Sequence, residues 1–132
     1  MSEVAIYLGG PINGCTDDEC MTWRETLKGA APHVTWVDPM ARDYRGREAD
    51  DYQEIVEGDK ADIDRCDAMI VNYVKPSVGT SMEILYAWQR GIPVVVVAAP
   101  DAVISPWLRY HSRRIVASLT EALSEVVQAG GR

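Results

Sequence analysis

Basic residues are scarce in this chain relative to acidic ones. Its 132 residues include 13 lysines and arginines against 20 aspartates and glutamates, giving a formal net charge of -7. Charge-driven binding of DNA or RNA requires a basic surface that neutralises phosphates. The composition supplies no such basic stripe, so it argues against a nucleic-acid partner and favours action on a small molecule.

Cysteine is also scarce. The three cysteines, Cys15, Cys20 and Cys66, are odd in number and form no CxxC pair. This spacing argues against a disulfide framework and against a zinc finger. The sequence has neither an apolar leader nor a run of about 20 apolar residues, the length that spans a bilayer. We therefore expect a cytoplasmic protein with no membrane partner and no metal site.

Motifs for nucleotide cofactors are missing as well. A glycine-rich loop, with Gly9-Gly10 followed by Asn13-Gly14, ends the first apolar run. It matches neither the GxGxxG fingerprint nor the lysine-containing P-loop, so we predict that the protein uses no cofactor. Such a loop ahead of a helix can still hold a bare phosphate.

Apolar segments alternate with amphipathic ones along the chain. Hydrophobic residues make up 47% of the sequence, which suits one domain, residues 1–132, with its own core. The pattern predicts strands at 4–8, 34–37, 68–73 and 92–98, and helices after 16, over 52–65 and 82–90, and after 118. This alternation predicts a single doubly wound parallel sheet, a flavodoxin-like or Rossmann-like three-layer α/β sandwich, with 92–98 as a central strand.

Three loops leave the carboxyl ends of the predicted strands, where such sheets bind their ligands. They span residues 9–15, 39–50 and 74–81, and the second is predicted to cover a site. The architecture brings together polar side chains from these loops and from the ends of the elements they join: Tyr7, Asn13, Asp43, Ser77 and Glu83.

Glu83 is the most informative of these residues. It follows a loop containing Gly79 and is predicted in the first turn of a helix. The helix dipole would keep a carboxylate there ionised, which makes Glu83 a candidate nucleophile. An acid that merely answers the dipole on the surface would occupy the same position, and the residues alone leave both interpretations open.

Three short segments lie in register along the chain: residues 7–10 (YLGG), 59–63 (DKADI) and 79–87 (GTSMEILYA). Together they resemble the nucleoside 2-deoxyribosyltransferase family, which includes the 2'-deoxynucleoside 5'-monophosphate N-glycosidases. The resemblance runs from about residue 4 to residue 123. It implies a homodimer or higher homo-oligomer that acts on a nucleoside or nucleotide and a nucleobase.

The resemblance also implies roles for three residues. Glu83 would attack C1' of a 2-deoxyribosyl group, as suits a reaction that passes through an oxocarbenium-like state. Asp59, eight positions before Asp67, would orient Glu83 or assist the leaving base, with its pKa raised by burial and by the charge of Glu83. Tyr7 would restrain Glu83 by a hydrogen bond.

Departures from the transferase pattern bear on the substrate. Ser77 stands where transferases often carry an acid, and a hydroxyl there can hold a 5'-phosphate that a carboxylate would repel. Further residues are predicted to bind substrate, some of them through backbone N–H groups: Gly9, Gly10, Ile12, Asn13, Gly14, Gly79 and Met82.

Two further predictions concern the base and the neighbouring subunit. Asp43 falls where transferases place a base-reading amide, and a carboxylate there would prefer an amino group or a ring N–H. Residues 105–112 are predicted to pack at a subunit interface and to lend Tyr110 or Ser112 to a neighbour's site.

The function predicted from these features is transfer of a deoxyribosyl group between bases through a covalent Glu83 intermediate. The alternatives are hydrolysis of 2'-deoxynucleoside 5'-monophosphates, and a non-catalytic nucleotide-binding module or interaction domain of the same fold.

Overall fold

Five parallel strands form the centre of the molecule. The computed structural model describes residues 4–130, and residues 1–3 and 131–132 of the predicted domain lie outside it. The strands are β1 (Ala5–Gly9), β2 (Thr35–Val37), β3 (Ala68–Asn72), β4 (Val94–Val97) and β5 (Arg114–Val116). Their order is β2-β1-β3-β4-β5, and each neighbouring pair is parallel. The predicted parallel α/β sheet is confirmed.

In the described part of the chain, four helices connect successive strands, and a fifth follows the last strand. They are α1 (Asp17–Ala30), α2 (Tyr52–Asp64), α3 (Val78–Gln89), α4 (Pro106–Tyr110) and α5 (Leu119–Gly130), with a short 3-10 turn at Pro39–Ala41. Within residues 4–130, no helix combines the length and apolarity needed to cross a membrane.

Alternation along the strands divides the core into two apolar layers, because successive side chains point to opposite faces of a sheet. Ile6 and Leu8 pack with α1 and α5 on one face. Tyr7 lies on the other face, in the cluster that contains Ile63 of α2 and Ile84 of α3. The sheet is therefore covered on both sides, and the Tyr7 side chain lies on the same side as α2 and α3.

Of the two helix starts predicted at Thr16 and Met82, the first is confirmed and the second is wrong. At α1, Thr16 Oγ1 accepts the Glu19 N–H at 3.1 Å and Glu19 Oε1 accepts the Thr16 N–H at 2.8 Å, so the predicted capping box is present. Helix α3 begins at Val78 rather than Met82, because Ser77 Oγ accepts the Thr80 N–H at 3.3 Å. Glu83 therefore lies in the second turn of α3, and its predicted place in the first turn is wrong.

Two other elements differ from the prediction. Strand β4 is interior but not central, since β3 occupies the middle of the sheet. A run of valines indicates that a strand is buried on both faces, as β4 is. It does not indicate where the strand lies in the strand order. The five-residue helix α4 is absent from the prediction. Ser105 before Pro106 is a sequence signal for its start, and in the structure Ser105 Oγ accepts the Trp107 N–H at 3.2 Å.

Candidate active site

A cleft opens at the carboxyl ends of β1, β2 and β3. Its walls come from the loop after β1, the segment after β2, helix α2 and the start of α3. The lining residues are Gly10, Ile12, Asn13, Pro39, Met40, Arg42, Asp43, Tyr44, Arg45, Glu48, Ile55, Asp59, Ser77, Gly79, Thr80 and Glu83. The three predicted loops thus meet at one cleft, at the edge of the sheet where ligands of parallel α/β folds bind.

Tyr7 anchors Glu83 at the floor of this cleft. The Tyr7 hydroxyl donates a hydrogen bond of 2.6 Å to Glu83 Oε2, and the Tyr7 side chain is fully buried. Burial, followed by the negative charge of Glu83, raises the pKa of Tyr7 far above its ordinary range. The Tyr7 hydroxyl therefore stays protonated and fixes one oxygen of Glu83.

Asp59 of α2 supplies a second carboxyl group, in hydrogen-bond contact with Glu83. Burial raises the pKa of Asp59, and the positive charge of Arg42 opposes that rise. Burial also raises the pKa of Glu83, while the Tyr7 hydrogen bond lowers it and the charge of Asp59 raises it. Two carboxyl groups this close, and poorly solvated, titrate as a unit and share one proton near neutrality.

Exclusion of solvent, rather than the helix dipole, governs these two acids. The dipole argument does not hold for Glu83, because the residue lies in the second turn and burial favours its neutral form. For Asp59, burial is the largest cause of the raised pKa, whereas its hydrogen bond with Glu83 lowers the pKa. The expected effect of the Glu83 charge on Asp59 stays a prediction, because the two carboxyl groups titrate as a unit.

Two glycines lie where strand β1 passes into the first loop, beside the cleft. A Cβ at position 10 would lie 2.9 Å from the Trp23 ring and 3.3 Å from the Asn72 carbonyl oxygen. A Cβ at position 9 would lie 3.8 Å from Glu83 Oε1. Because position 10 has no room for a side chain, the backbone of this loop itself forms part of the cleft.

Ser77 lines the cleft and also caps α3. Its hydroxyl oxygen accepts the Thr80 N–H at 3.3 Å, and its carbonyl oxygen accepts the Ser81 hydroxyl. A serine hydroxyl that accepts one hydrogen bond still has its own proton to donate. Ser77 can therefore serve as a structural cap and as a donor to a ligand at the same time.

Asp43 lines the cleft, but its carboxylate is already engaged. Arg45 donates to Asp43 Oδ1 from Nε at 2.9 Å and to Oδ2 from Nη2 at 2.6 Å, and Arg45 Nη1 also donates to Asp17 at the start of α1. These hydrogen bonds lower the pKa of Asp43 to about 2. Asp43 reads a base only if the base competes with Arg45 for its oxygens.

Three residues predicted to bind substrate lie away from the cleft. Gly14 faces the Lys75 ammonium, with 3.8 Å between its would-be Cβ and Nζ. Met82 is 64% exposed and lies on another side of α3, near Trp107. The Ser112 hydroxyl donates to the Leu108 carbonyl oxygen at 2.6 Å, next to α4, and its predicted contribution to a neighbour's site stays a prediction.

Several lining residues escaped the sequence analysis. Ile55 lies one turn before Asp59 on α2, a spacing that could have identified it. Arg42, Tyr44 and Arg45 belong to a segment without periodicity, where no sequence signal was available. Within residues 4–130, the His, Cys, Asp and Glu side chains form no group of three that could hold a metal ion.

Comparison with known proteins assigns the family. The chain belongs to the nucleoside 2-deoxyribosyltransferase family, whose model matches residues 6–124. Its members are enzymes that transfer glycosyl groups or cleave N-glycosidic bonds. No curated protein matches the sequence significantly.

Solved structures share the fold at low sequence identity. A conserved protein of Enterococcus faecalis V583 has a TM-score of 0.75 at 16% identity, covering 96% of this chain and 99% of its own. The 2-deoxyribosyltransferase of Bacillus psychrosaccharolyticus has a TM-score of 0.72 at 13% identity, covering 90% of each chain. The CMP N-glycosidase of Clostridium botulinum has a TM-score of 0.60 at 19% identity, covering 92% of this chain and 97% of its own.

The buried carboxyl of Glu83 gives a testable dependence of stability on pH. Folding raises its pKa above the ordinary value of 4.5. Between the pKa of the unfolded state and the higher pKa of the folded state, the folded state therefore binds more protons than the unfolded state. Stability is then lost as pH rises through that interval. We expect Glu83→Gln to be more stable than the wild type at about pH 8, with the difference shrinking toward about pH 5.

Thermal unfolding of both proteins across that pH range measures the difference. Glu57→Gln makes the same chemical change at an exposed carboxyl of α2 and is the matched control. A constant difference between Glu83→Gln and wild type at all pH values would contradict a raised pKa for Glu83.

Proposed function

We propose that this protein cleaves the N-glycosidic bond of 2'-deoxyribonucleosides or their 5'-monophosphates through a covalent deoxyribosyl-Glu83 intermediate and transfers the sugar to another base. The observation that carries the proposal is the Tyr7–Glu83–Asp59 arrangement at the cleft floor. The Tyr7 hydroxyl, which stays protonated, donates to Glu83, and Asp59 shares a proton with Glu83. A reaction that needs a nucleophile and a proton donor side by side finds both here.

The chemistry follows from the shared proton. As the C1'–N bond breaks, its electron pair goes to the base nitrogen, which takes the proton through Asp59, and a Glu83 oxygen bonds to C1'. Departure of the proton leaves Glu83 anionic at the moment when positive charge develops on the sugar. Attack on C1' by the nitrogen of a second base then releases Glu83 and returns a proton to the pair.

A second candidate is hydrolysis of 2'-deoxynucleoside 5'-monophosphates to free base and deoxyribose 5-phosphate. Ser77, Gly10, Ile12 and Asn13 line the cleft together. In this candidate the Ser77 hydroxyl and the backbone N–H groups of the first loop would hold the phosphate. The likeness to a solved structure of a CMP N-glycosidase is in keeping with this candidate. Water would replace the second base as the acceptor.

Removal of Glu83 tests the reaction. We expect the wild type to release base from deoxynucleosides or their monophosphates, and Glu83→Ala to lose at least about 1,000-fold in rate, because the covalent path is lost. Chromatography of reactions with and without a second free base measures both hydrolysis and exchange. A new nucleoside marks transfer, whereas free base from monophosphates alone marks the second candidate.

Glu57→Ala, on the exposed face of α2, is the control for a lost carboxyl and should keep wild-type activity. A wild type that binds nucleotides but releases no base would support a binding module instead. If the wild type releases base and Glu83→Ala is equally active, Glu83 is not the nucleophile.

Substitution of Ser77 separates nucleosides from monophosphates. Ser77→Asp keeps a good helix cap but places negative charge where we propose the 5'-phosphate lies. We expect kcat/KM for monophosphates to fall by at least about tenfold, because like charges repel, while nucleosides are affected less. Ser77→Asn, a neutral cap, is the matched control, and equal losses on both substrate classes in Ser77→Asp would argue against a phosphate at this position.

We further propose that the chain forms a homodimer or a higher homo-oligomer through α4. Trp107 is 74% and Tyr110 70% exposed, beside the half-exposed Trp88, and a contiguous apolar surface of this kind marks an interface. Sedimentation should show an oligomer for the wild type and a smaller species for Trp107→Glu. Val56→Glu, on the exposed face of α2, is the control and should not change the mass. A monomeric wild type would refute the proposal.

A further inference from the structure

Arg42 is the cation that lines the cleft next to the acidic pair. Its Nη2 donates a hydrogen bond of 2.6 Å to Asp62 Oδ2 and lies 3.7 Å from Asp59 Oδ1. Both acids belong to α2, whereas Arg42 follows the 3-10 turn after β2. The guanidinium therefore ties the segment after β2 to the helix that carries Asp59.

A glycine makes room for this guanidinium. A Cβ at position 58 would lie 3.0 Å from Nη2, 3.1 Å from Cζ and 3.2 Å from Nη1 of Arg42. These distances are shorter than ordinary van der Waals contact, so a Cβ at position 58 would require the guanidinium to shift by a few tenths of an ångström. Gly58 lies inside α2, where glycine costs stability relative to alanine. The close approach of Arg42 accounts for a glycine at that position.

Asp62 holds the guanidinium in place. Its side chain is largely buried, and its other oxygen accepts a hydrogen bond of 3.2 Å from Arg65 Nη2. The Asp62 carboxylate is thus shared by two arginines, of which Arg42 also reaches Asp59. Asp62 acts as the anchor and Asp59 as the group whose surroundings Arg42 changes.

We propose that Arg42, seated on Gly58 and anchored by Asp62, is a positioning residue that fixes the Asp59 carboxyl and controls how readily it takes and gives up the proton shared with Glu83. This inference rests on the proposed function. In that reaction the shared proton passes from Glu83 through Asp59 to the nitrogen of the leaving base. No other reactant is needed for that transfer.

The charges that face Asp59 determine the direction of the effect. They are Arg42 from the segment after β2, Asp62 from its own helix and Glu83 from α3, with the neutral Tyr7 hydroxyl of β1 beyond Glu83. Arg42 lowers the pKa of Asp59, and Asp62 raises it. Loss of Arg42 therefore leaves Asp59 facing acids, holds its proton more tightly and makes it a weaker proton donor to the base.

The test compares Arg42→Met, Arg42→Lys and Gly58→Ala with Arg65→Met. Arg65→Met removes the other arginine on Asp62 while leaving Arg42 beside Asp59, so it is the matched control. Gly58→Ala keeps the arginine and displaces its guanidinium. Because Arg42 is 41% exposed in its side chain, we expect the variants to fold, which circular dichroism checks.

The first readout does not depend on activity. The carboxyl of Asp59 is titrated by carbon-13 NMR in the Glu83→Gln background, where it titrates alone, and Asp59→Asn assigns its signal. We expect Arg42→Met to move the titration of Asp59 upward by about 1 in pH, Gly58→Ala to move it in the same direction, and Arg42→Lys to move it less. Arg65→Met should leave it unchanged.

The second readout is the pH profile of base release with Glu83 in place. Activity requires one proton on the pair, so both limbs of the profile should move to higher pH in Arg42→Met and stay in place in Arg65→Met. A purely structural role would instead lower the rate equally at all pH values.

The two readouts separate this inference from the proposed function. If the wild type releases no base but Arg42→Met still moves the Asp59 titration, the proposed function fails and the effect of Arg42 on Asp59 stands. If base is released but neither the titration nor the profile moves, the inference is wrong. It is also wrong if Arg65→Met moves the titration as far as Arg42→Met does.

Discussion

The hydrogen bond from Tyr7 to Glu83 joins residues that are 76 positions apart in the sequence, and the site depends on it. It can form because strand alternation sends Tyr7 to the face covered by α2 and α3, while Ile6 and Leu8 face the other side. It also requires β1 to lie beside β3, since α3 begins just after β3 ends. The parallel strand order and the alternation of one short strand thus determine where the nucleophile candidate lies.

Burying two carboxyl groups at one place is unfavourable unless something offsets the lost hydration. Here the Tyr7 hydroxyl stabilises one oxygen of Glu83, and Arg42 lies beside Asp59. A third contribution comes from Arg24, which is fully buried behind β1, donates to the Leu8 carbonyl oxygen and lowers the pKa of Glu83. These contacts oppose the effect of burial on the two pKa values, so the carboxyl pair can exchange a proton near neutrality.

Much of the fold could be predicted from sequence because its signals are local. Apolar runs and the Thr16 capping box gave strands and the start of α1, and the strand-then-helix order implied a parallel sheet. The prediction for the start of α3 is wrong because Pro76, Ser77 and Gly79 match a loop pattern, whereas Ser77 caps the helix and the helix accommodates Gly79. That error misplaced Glu83 by a full turn and led to the wrong electrostatic argument.

The parts of the site that the sequence did not reveal depend on contacts between distant segments. The seat of Arg42 on Gly58 joins a loop to a helix and has no motif, and the engagement of Asp43 by Arg45 is visible only when both side chains are placed. From the residue type alone, the Asp43 carboxylate is predicted to have oxygens free to accept hydrogen bonds from a base. In the structure its neighbour two positions away already occupies them.

Transfer and hydrolysis begin with the same step and differ only in the acceptor that reaches C1'. In the reaction we propose, Tyr7, Glu83 and Asp59 serve that common step, so they favour neither outcome. The segment after β2 forms the wall of the cleft that carries Met40 and Tyr44, and Arg45 connects that segment to α1. In the reaction we propose, a wall that admits a flat base and excludes water would prolong the covalent intermediate until a base arrives. The choice of acceptor would then depend on this segment, most of which is loop, rather than on the carboxyl pair, which lies on helices α2 and α3.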